Sequence, residues 1–311
     1  MTSVPSPIAP AGRTPTTPLS EPPRETWRVL YEEARRRLAN DVEARWLVEE
    51  ASGFSWPELS REGPSVADAA RARFTSMLER RAAGEPLQYV LGHWSFRTLD
   101  LMVDRRVLIP RPETEQVVEA GLVELDLTRA SDPKRSLLAV DLGTGSGAIA
   151  LSIAAERHGV EVWATDQSRE ALDVASANLA GLGGLRATRV RFAHGEWWSA
   201  LPEELRGRVD LVISNPPYVS TAEMGLLDPV IRDWEPTTAL ASGPTGLEGI
   251  ESILAGAAGW LSPRGSAVIE IAPHQCERAI ESARGLGFEH AHIVQDLAGR
   301  DRALVARMSP R

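Results

Sequence analysis

The stretch Asp141-Leu-Gly-Thr-Gly-Ser-Gly constrains this chain more than any other. A short apolar run, 137–141, leads into it, and a helical pattern, 148–157, leaves it. Glycines at alternate positions let the backbone turn tightly and let a ligand approach with no Cβ in the way. The next predicted strand, 160–166, ends in Asp166, 25 residues after Asp141. A carboxylate there accepts two hydrogen bonds from a ribose diol. Together these features describe a nucleoside cofactor lying over the carboxyl ends of two neighbouring strands. The spacing is Gly-x-Gly-x-Gly, not the dinucleotide Gly-x-Gly-x-x-Gly, and the lysine of a phosphate-binding loop is absent. An acid before the first glycine repels a pyrophosphate and suits a cation. S-adenosylmethionine carries both a sulfonium and an ammonium. The plainer alternative is a glycine-rich turn that only closes a helix against a strand.

Strand and helix alternate from there onward. Helical patterns cover 168–179 (Ser168 as N-cap), 247–261 and 274–284, and strand-like runs cover 188–192, 209–214 and 266–271. The runs 291–295 and 303–307 are able to pair as a hairpin. This alternation predicts an α/β, Rossmann-like fold with a mostly parallel sheet covered on both faces. Upstream, Trp27, Leu30, Tyr31, Ala34 and Leu38 recur at helical spacing, as do Ala44, Leu47, Val48 and Ala51. Ser65 followed by Asp68 suits a capped helix start, with the helix running through Arg81. Four segments follow. A Pro-rich tail, 1–24, has no apolar period and is expected to be disordered. A small helical domain spans 25–84. A hairpin linker spans 85–110, with Tyr89-Val-Leu and 96–103 as its strands. An α/β domain spans 111–311 and opens on a helix over 111–127, with Pro112 in its first turn.

Asn215-Pro-Pro-Tyr ends the predicted strand 209–214. Its two prolines lack N–H groups, so the turn offers carbonyl acceptors with few competing donors. Asn215 precedes a proline and is held extended. Its side-chain oxygen is suited to accept one proton of an NH2 group while the Pro216 carbonyl takes the other. Tyr218 supplies a ring for a flat amide or base. That set fits a planar –NH2 group presented to a methyl donor. An amide nitrogen is a poor nucleophile, because its lone pair is delocalised. Two acceptors on its protons raise its electron density and fix its direction, and positioning supplies much of the rate. The alternative is an ordinary proline-rich turn between strand and loop.

Composition sets the exclusions. With 311 residues, 43% of them hydrophobic, the chain has ample material for a core. Its net charge of -9 argues against broad adhesion to nucleic acid, which needs a basic face. Lys134 is the lone lysine, so positive charge is carried by arginine, a matter of base composition or of arginine-led recognition. Cys276 has no cysteine to pair with, and no Cys/His spacing suggests zinc. His93, His158, His194, His274, His290 and His292 share no motif. Arg35-Arg36-Arg37 reads as a solvated helix face, and Trp27, Trp46 and Trp56 as packing residues. No apolar run reaches the roughly 18 residues that span a bilayer, and the start lacks the basic and apolar regions of a secretory signal. The expectation is a soluble, cytoplasmic protein.

At the glycine loop and the Asn-Pro-Pro-Tyr turn the sequence resembles the class I S-adenosylmethionine-dependent methyltransferases. The turn is similar to that of the subgroup acting on planar nitrogen in DNA adenine or protein glutamine. Further stretches resemble the peptide chain release factor glutamine methyltransferases. They are Gly84-Glu-Pro-Leu-Gln-Tyr-Val-Leu-Gly, Phe96, Leu108-Ile-Pro-Arg-Pro-Glu-Thr-Glu, Glu235-Pro, Ala239-Leu-Ala-Ser-Gly-Pro-Thr-Gly-Leu and Asp296-Leu-Ala-Gly-Arg-Asp-Arg. The resemblance covers roughly 25–308.

It implies an enzyme that moves a methyl group from S-adenosylmethionine to the side-chain amide nitrogen of the glutamine in the Gly-Gly-Gln motif of class 1 release factors. It implies that Gly143, Thr144, Gly145, Ser146 and Gly147 border the cofactor, Asp166 holds its ribose and Trp197 packs by its adenine. Asn215 would touch cofactor and substrate, and Pro216, Pro217 and Tyr218 would complete the glutamine slot, with Asn215, Pro216 and Tyr218 as the catalytic set. The helical domain would help grip the release factor. A monomer is expected, with no metal, no membrane contact and no stable nucleic-acid partner. One departure stands out. The family's Glu-x-Gly-x-x-Gln reads Glu270-Ile-Ala-Pro-His-Gln here, and Ala272-Pro273 should stiffen that turn. Two rivals remain at this point, a DNA adenine methyltransferase and a cofactor-binding scaffold without turnover. The first would need a basic target-recognition domain, and the second is hard to square with two intact motifs.

Overall fold

The structure, a computed structural model, describes residues 26–59 and 65–308. The tail expected over 1–24 lies outside the described residues. Two compact units divide between Leu78 and Glu79.

The first unit holds α1 (Trp27–Leu38), α2 (Asp41–Ser52), α3 (Trp56–Leu59) and most of α4 (Asp68–Ala82). The division falls inside α4, a few residues before the boundary at 84 read from the sequence. Trp27, Leu30 and Ala34 of α1 and Ala44, Leu47, Val48 and Ala51 of α2 are buried, following the helical period. Asn40 caps α2 by accepting from the N–H groups of Val42 and Glu43 at 3.1 and 3.2 Å. The Tyr31 and Trp56 rings pack 4.5 Å apart. Trp46, expected to be a packing residue, is 38% exposed.

The second unit begins with α5 (Leu87–Leu91), β1 (His93–Phe96) and β2 (Leu99–Met102), followed by α6 (Thr114–Ser131). The alternating part runs β3 (Leu137–Leu142), α7 (Ala148–Glu156), β4 (Val160–Asp166), α8 (Arg169–Leu182), α9 (Gly184–Ala187), β5 (Val190–His194) and β6 (Val209–Ser214). It closes with α10 (Pro229–Arg232), α11 (Glu248–Trp260), β7 (Leu261–Glu270), α12 (Cys276–Gly285), β8 (His290–Gln295) and β9 (Asp301–Arg307). Seven strands form one sheet in the order β5-β4-β3-β6-β7-β9-β8. The first five of these are parallel, and β9 lies antiparallel between β7 and β8. β3 and β6 are neighbours although two strands, β4 and β5, come between them in the chain, so the chain leaves β3 toward one sheet edge and β6 toward the other. A crevice opens at their carboxyl ends, the place where open α/β sheets bind ligands. Both strands are buried along their whole length. Val117, Leu122, Ile149 and Ile153 cover one face of the sheet, and Ile250, Leu254, Trp260 and Ala279 cover the other.

Three elements depart from the sequence reading. Tyr89-Val-Leu belongs to the single turn α5, not to a strand; Gly92 ends that turn in the left-handed region (φ 86°), and the hairpin is β1–β2. The helix expected from 111 starts at Thr114, led in by three-residue turns in which Thr114 and Glu115 donate to the carbonyls of Arg111 and Pro112. β7 starts five residues before 266, because Leu261 pairs with Val209 across an irregular register. There Gly265 comes so close that a Cβ would lie 2.6 Å from the Val209 carbonyl oxygen.

Candidate active site

The loop between β3 and α7 folds as its glycines require. Gly143, Gly145 and Gly147 take φ of 76°, 54° and 85°, a region that side chains with a Cβ avoid. Gly143 and Thr144 donate to the Thr165 carbonyl at 2.9 and 2.8 Å, which ties the loop to the end of β4. A Cβ on Gly145 would meet nothing within 4 Å, since that edge faces the crevice. Gly147 does a different job. A Cβ there would press on Leu151 at 3.1 Å and Ala175 at 3.4 Å, so this glycine lets α7 approach α8.

Two carboxyl groups hold the loop from below. Asp141 is fully buried; its Oδ2 accepts from the Thr144 hydroxyl at 2.6 Å and the Ala150 N–H at 3.1 Å, and its Oδ1 has no partner. Burial pushes this carboxyl up to about 7, against the pull of those two bonds. Asp166 accepts from the Gly145 N–H at 2.9 Å and the Ser168 N–H at 2.8 Å. Burial also raises its pKa, partly offset by the backbone donors. The negative charge of Asp166 further raises that of Asp141. Such a pair would be relieved by a cation and worsened by a pyrophosphate. The open edge at Gly145, the glycine cradle and the two acids therefore fit the nucleoside and the positive charge of S-adenosylmethionine.

Gly143, Thr144, Gly145, Ser146, Asp166 and Trp197 all line one cleft. Asn215 and Pro217 line it as well. Trp197 takes φ 46°, rare for a bulky side chain, and its ring edge lies 3.8 Å from where a Gly143 Cβ would stand. Gly147 and Pro216 lie off the cleft, Gly147 behind the loop and Pro216 buried under the turn. Tyr218 lines a second, adjoining cavity with Leu108, Arg111, Leu227, Ile231 and Leu240. Asn215 lines both.

Several residues hold this arrangement through contacts that the sequence did not reveal, although Thr114, Glu235, Glu270 and Gln275 stand in stretches that carry the family resemblance or its one departure. Thr114, at the start of α6, accepts from Asn215 Nδ2 at 3.2 Å and donates to Glu270 Oε2 at 2.7 Å. Gln275 Nε2 donates to the carbonyls of Tyr218 and Gly246, each at 3.0 Å, while its Oε1 accepts from the Ala272 N–H at 3.0 Å. The stretch Glu270-Ile-Ala-Pro-His-Gln thus braces the Asn-Pro-Pro-Tyr turn at both ends. Ala272 and Pro273 fit there without strain, because Ala272 is extended (φ -75°, ψ 146°) and Pro273 opens a short 3-10 turn. Asn178 joins Met102, through both its N–H and its carbonyl, to the Ser146 carbonyl at the glycine loop. Glu235 accepts from the Ile109 N–H and pairs with Arg111, fixing the segment before α6. Among the described residues no group of His, Cys, Asp and Glu is placed to hold a metal.

Fold and cleft together define a class I methyltransferase. Residues 127–232 match the methyltransferase small domain and residues 29–92 the PrmC N-terminal domain. The chain is 41% identical over 290 residues to the release factor glutamine methyltransferase of Moorella thermoacetica, covering 90% of this chain and 98% of that one. It is 42% identical over 242 residues to the enzyme of the same name from Xylella fastidiosa strain 9a5c, covering 78% and 83%. The chain belongs to the release factor glutamine methyltransferase family. Among solved structures, the hMettl16 catalytic domain in complex with MAT2A 3'UTR hairpin 6 shares the fold with a TM-score of 0.55 at 15% identity, over 85% of this chain and 92% of that one. The N-terminal domain of human METTL16 in complex with SAH does so with a TM-score of 0.50 at 15% identity, over 84% and 93%.

Proposed function

We propose that this chain methylates the side-chain amide nitrogen (N5) of the glutamine in the Gly-Gly-Gln motif of class 1 peptide chain release factors, so modulating translation termination. Family membership supports the substrate class. The observation that carries the chemistry is that Asn215 belongs to both cavities, so one side chain borders the cofactor cleft and the pocket beside it.

S-adenosylmethionine, when bound, supplies a methyl group activated by its sulfonium. In this reading Gly143, Thr144, Gly145 and Ser146 enclose it with Trp197, Gly147 shapes the loop from behind, and Asp166 receives the ribose hydroxyls. Asp166 already accepts two backbone N–H groups, but an ionised carboxylate has about four lone-pair sites, so it has capacity left. Asn215 Oδ1 and the Pro216 carbonyl accept the two protons of the substrate amide, and Pro217 and Tyr218 confine its plane. With both protons held, the nitrogen lone pair gains density and points toward the cleft. No residue needs to deprotonate the amide beforehand; as the S–C bond breaks and the N–C bond forms, the nitrogen becomes strongly acidic and gives up one of its two held protons to solvent, so the work done is orientation and electrostatic support. Burial pushes the Tyr218 hydroxyl up to about 12, so it stays neutral and does not act as a base.

The reading includes a cytoplasmic monomer without a stable nucleic-acid partner. The net charge of -9 supports the last point, and among the described residues no helix is long and apolar enough to cross a membrane. The test is incubation with labelled S-adenosylmethionine, a class 1 release factor and duplex DNA, followed by peptide mass spectrometry. One added methylene on the Gly-Gly-Gln glutamine is expected. Label in DNA alone would overturn the reading.

A further inference from the structure

An asparagine side chain has an acceptor edge and a donor edge of nearly equal shape, and the proposed reaction needs the acceptor edge toward the substrate. Something in the fold must choose. Thr114 is 4% exposed and sits between Asn215 and Glu270. Its hydroxyl carries one proton, which goes to Glu270 Oε2 at 2.7 Å, an acceptor whether that carboxyl is ionised or carries its own proton on Oε1. Thr114 Oγ1 therefore meets Asn215 with lone pairs only. An amide facing lone pairs turns its NH2 to them, as observed at 3.2 Å, and its oxygen is left on the other side. Glu270 is itself 1% exposed, and its Oε1 has no hydrogen-bond partner. A buried carboxyl with an unmatched oxygen is costly to retain for packing alone.

The geometry points to Thr114 as a positioning residue that, directed by Glu270, fixes which edge of the Asn215 amide faces the substrate pocket. This rests on the proposed glutamine methylation, in which the oxygen of Asn215 accepts from a substrate N–H. Thr114 does not touch the reacting atoms in this scheme. It acts through Asn215, which it meets from the first residue of α6.

Two measurements on the full-length chain test it. In the first, side-chain amide resonances of Asn215 are followed by selective asparagine labelling in the wild type, Thr114→Ser and Thr114→Val, each with S-adenosylhomocysteine added. The Nδ2 protons should show contacts to residue 114 in the wild type and Thr114→Ser, and a shifted, exchange-broadened signal in Thr114→Val. An Asn215 signal that is the same in all three overturns the assignment, whatever the substrate proves to be. In the second, methyl transfer to a release factor is measured. Thr114→Val should lower kcat roughly ten-fold or more while KM for the release factor changes less than about three-fold, and Thr114→Ser should restore most of the loss. Wild-type kcat in Thr114→Val, or an equal loss in Thr114→Ser, overturns the positioning role. A wild type that methylates no glutamine tells against the proposed function instead, and the resonance measurement then decides the role of Thr114 by itself.

Discussion

Asn215 and Asp166 divide the proposed labour between substrate orientation and cofactor retention, and their variants should fail differently. Asn215→Ala removes the acceptor at the junction of the two cavities. Turnover should fall roughly 100-fold or more while cofactor affinity changes less than about ten-fold. Methyl incorporation and calorimetry read the two quantities, and unchanged turnover would refute the role. Asp166→Asn places an NH2 against either the Gly145 or the Ser168 N–H, where the carboxylate accepted from both. Cofactor affinity should drop about ten-fold or more, the scale of a lost charge-assisted hydrogen bond, with less effect on the rate at saturation. Equal affinities for wild type and variant would remove Asp166 from the ribose. These residues were legible in the sequence because their chemistry is local: glycines within one turn, an acid at a strand end, two prolines after an asparagine. Thr114, Glu270 and Gln275 stand in stretches that the resemblance marked, but their contacts were not legible. Their partners lie 101, 156 and 57 positions away along the chain, and no local pattern encodes such distances.

Elements were legible where their period was long enough to read. The alternation that predicted strands and helices after residue 137 matches the parallel sheet, because buried parallel strands are short apolar runs and their helices carry a wider repeat. Tyr89-Val-Leu was too short for its period to decide, and the flanking Pro86 and Gly92 close it as one helical turn. The placement of β9 between β7 and β8 has no local signature either, since it depends on which sheet edge is free. One element contact gives a sharp test. Gly246, in the turn before α11, has φ 78°, and a Cβ there would fall 2.5 Å from the Tyr218 carbonyl oxygen and 2.8 Å from Gln275 Nε2. Gly246→Ala should therefore push away the brace on the Asn-Pro-Pro-Tyr turn. A stability loss of about 1–3 kcal/mol in urea unfolding is expected, together with lower turnover. A variant as stable and as fast as wild type would mean that the turn tolerates displacement.

At the scale of the whole molecule, two classes of carboxyl group pull stability in opposite directions as pH changes. Arginines hold Glu85, Asp104 and Glu156 below the ordinary carboxylate range, through Arg80, Arg106 and Arg97. Their contribution is present above that range and is lost as pH falls through it. Asp141 and Glu270 behave in reverse, since burial pushes both up to about 7. The folded chain keeps these two protons to higher pH than the unfolded chain does. Their contribution is full below the ordinary range and fades as pH climbs to about 7, after which it changes no further. Glu270→Gln removes one such group without changing shape, so stability relative to wild type should rise across that window by about 1 kcal/mol per pH unit and then level off. Unfolding in urea at several values between about pH 5 and pH 8 measures the difference. A difference that stays flat would mean that Glu270 is ionised throughout. A rising one would place a titrating carboxyl directly behind Thr114 and Asn215, so that one site sets both the acid dependence of the fold and the aim of the turn.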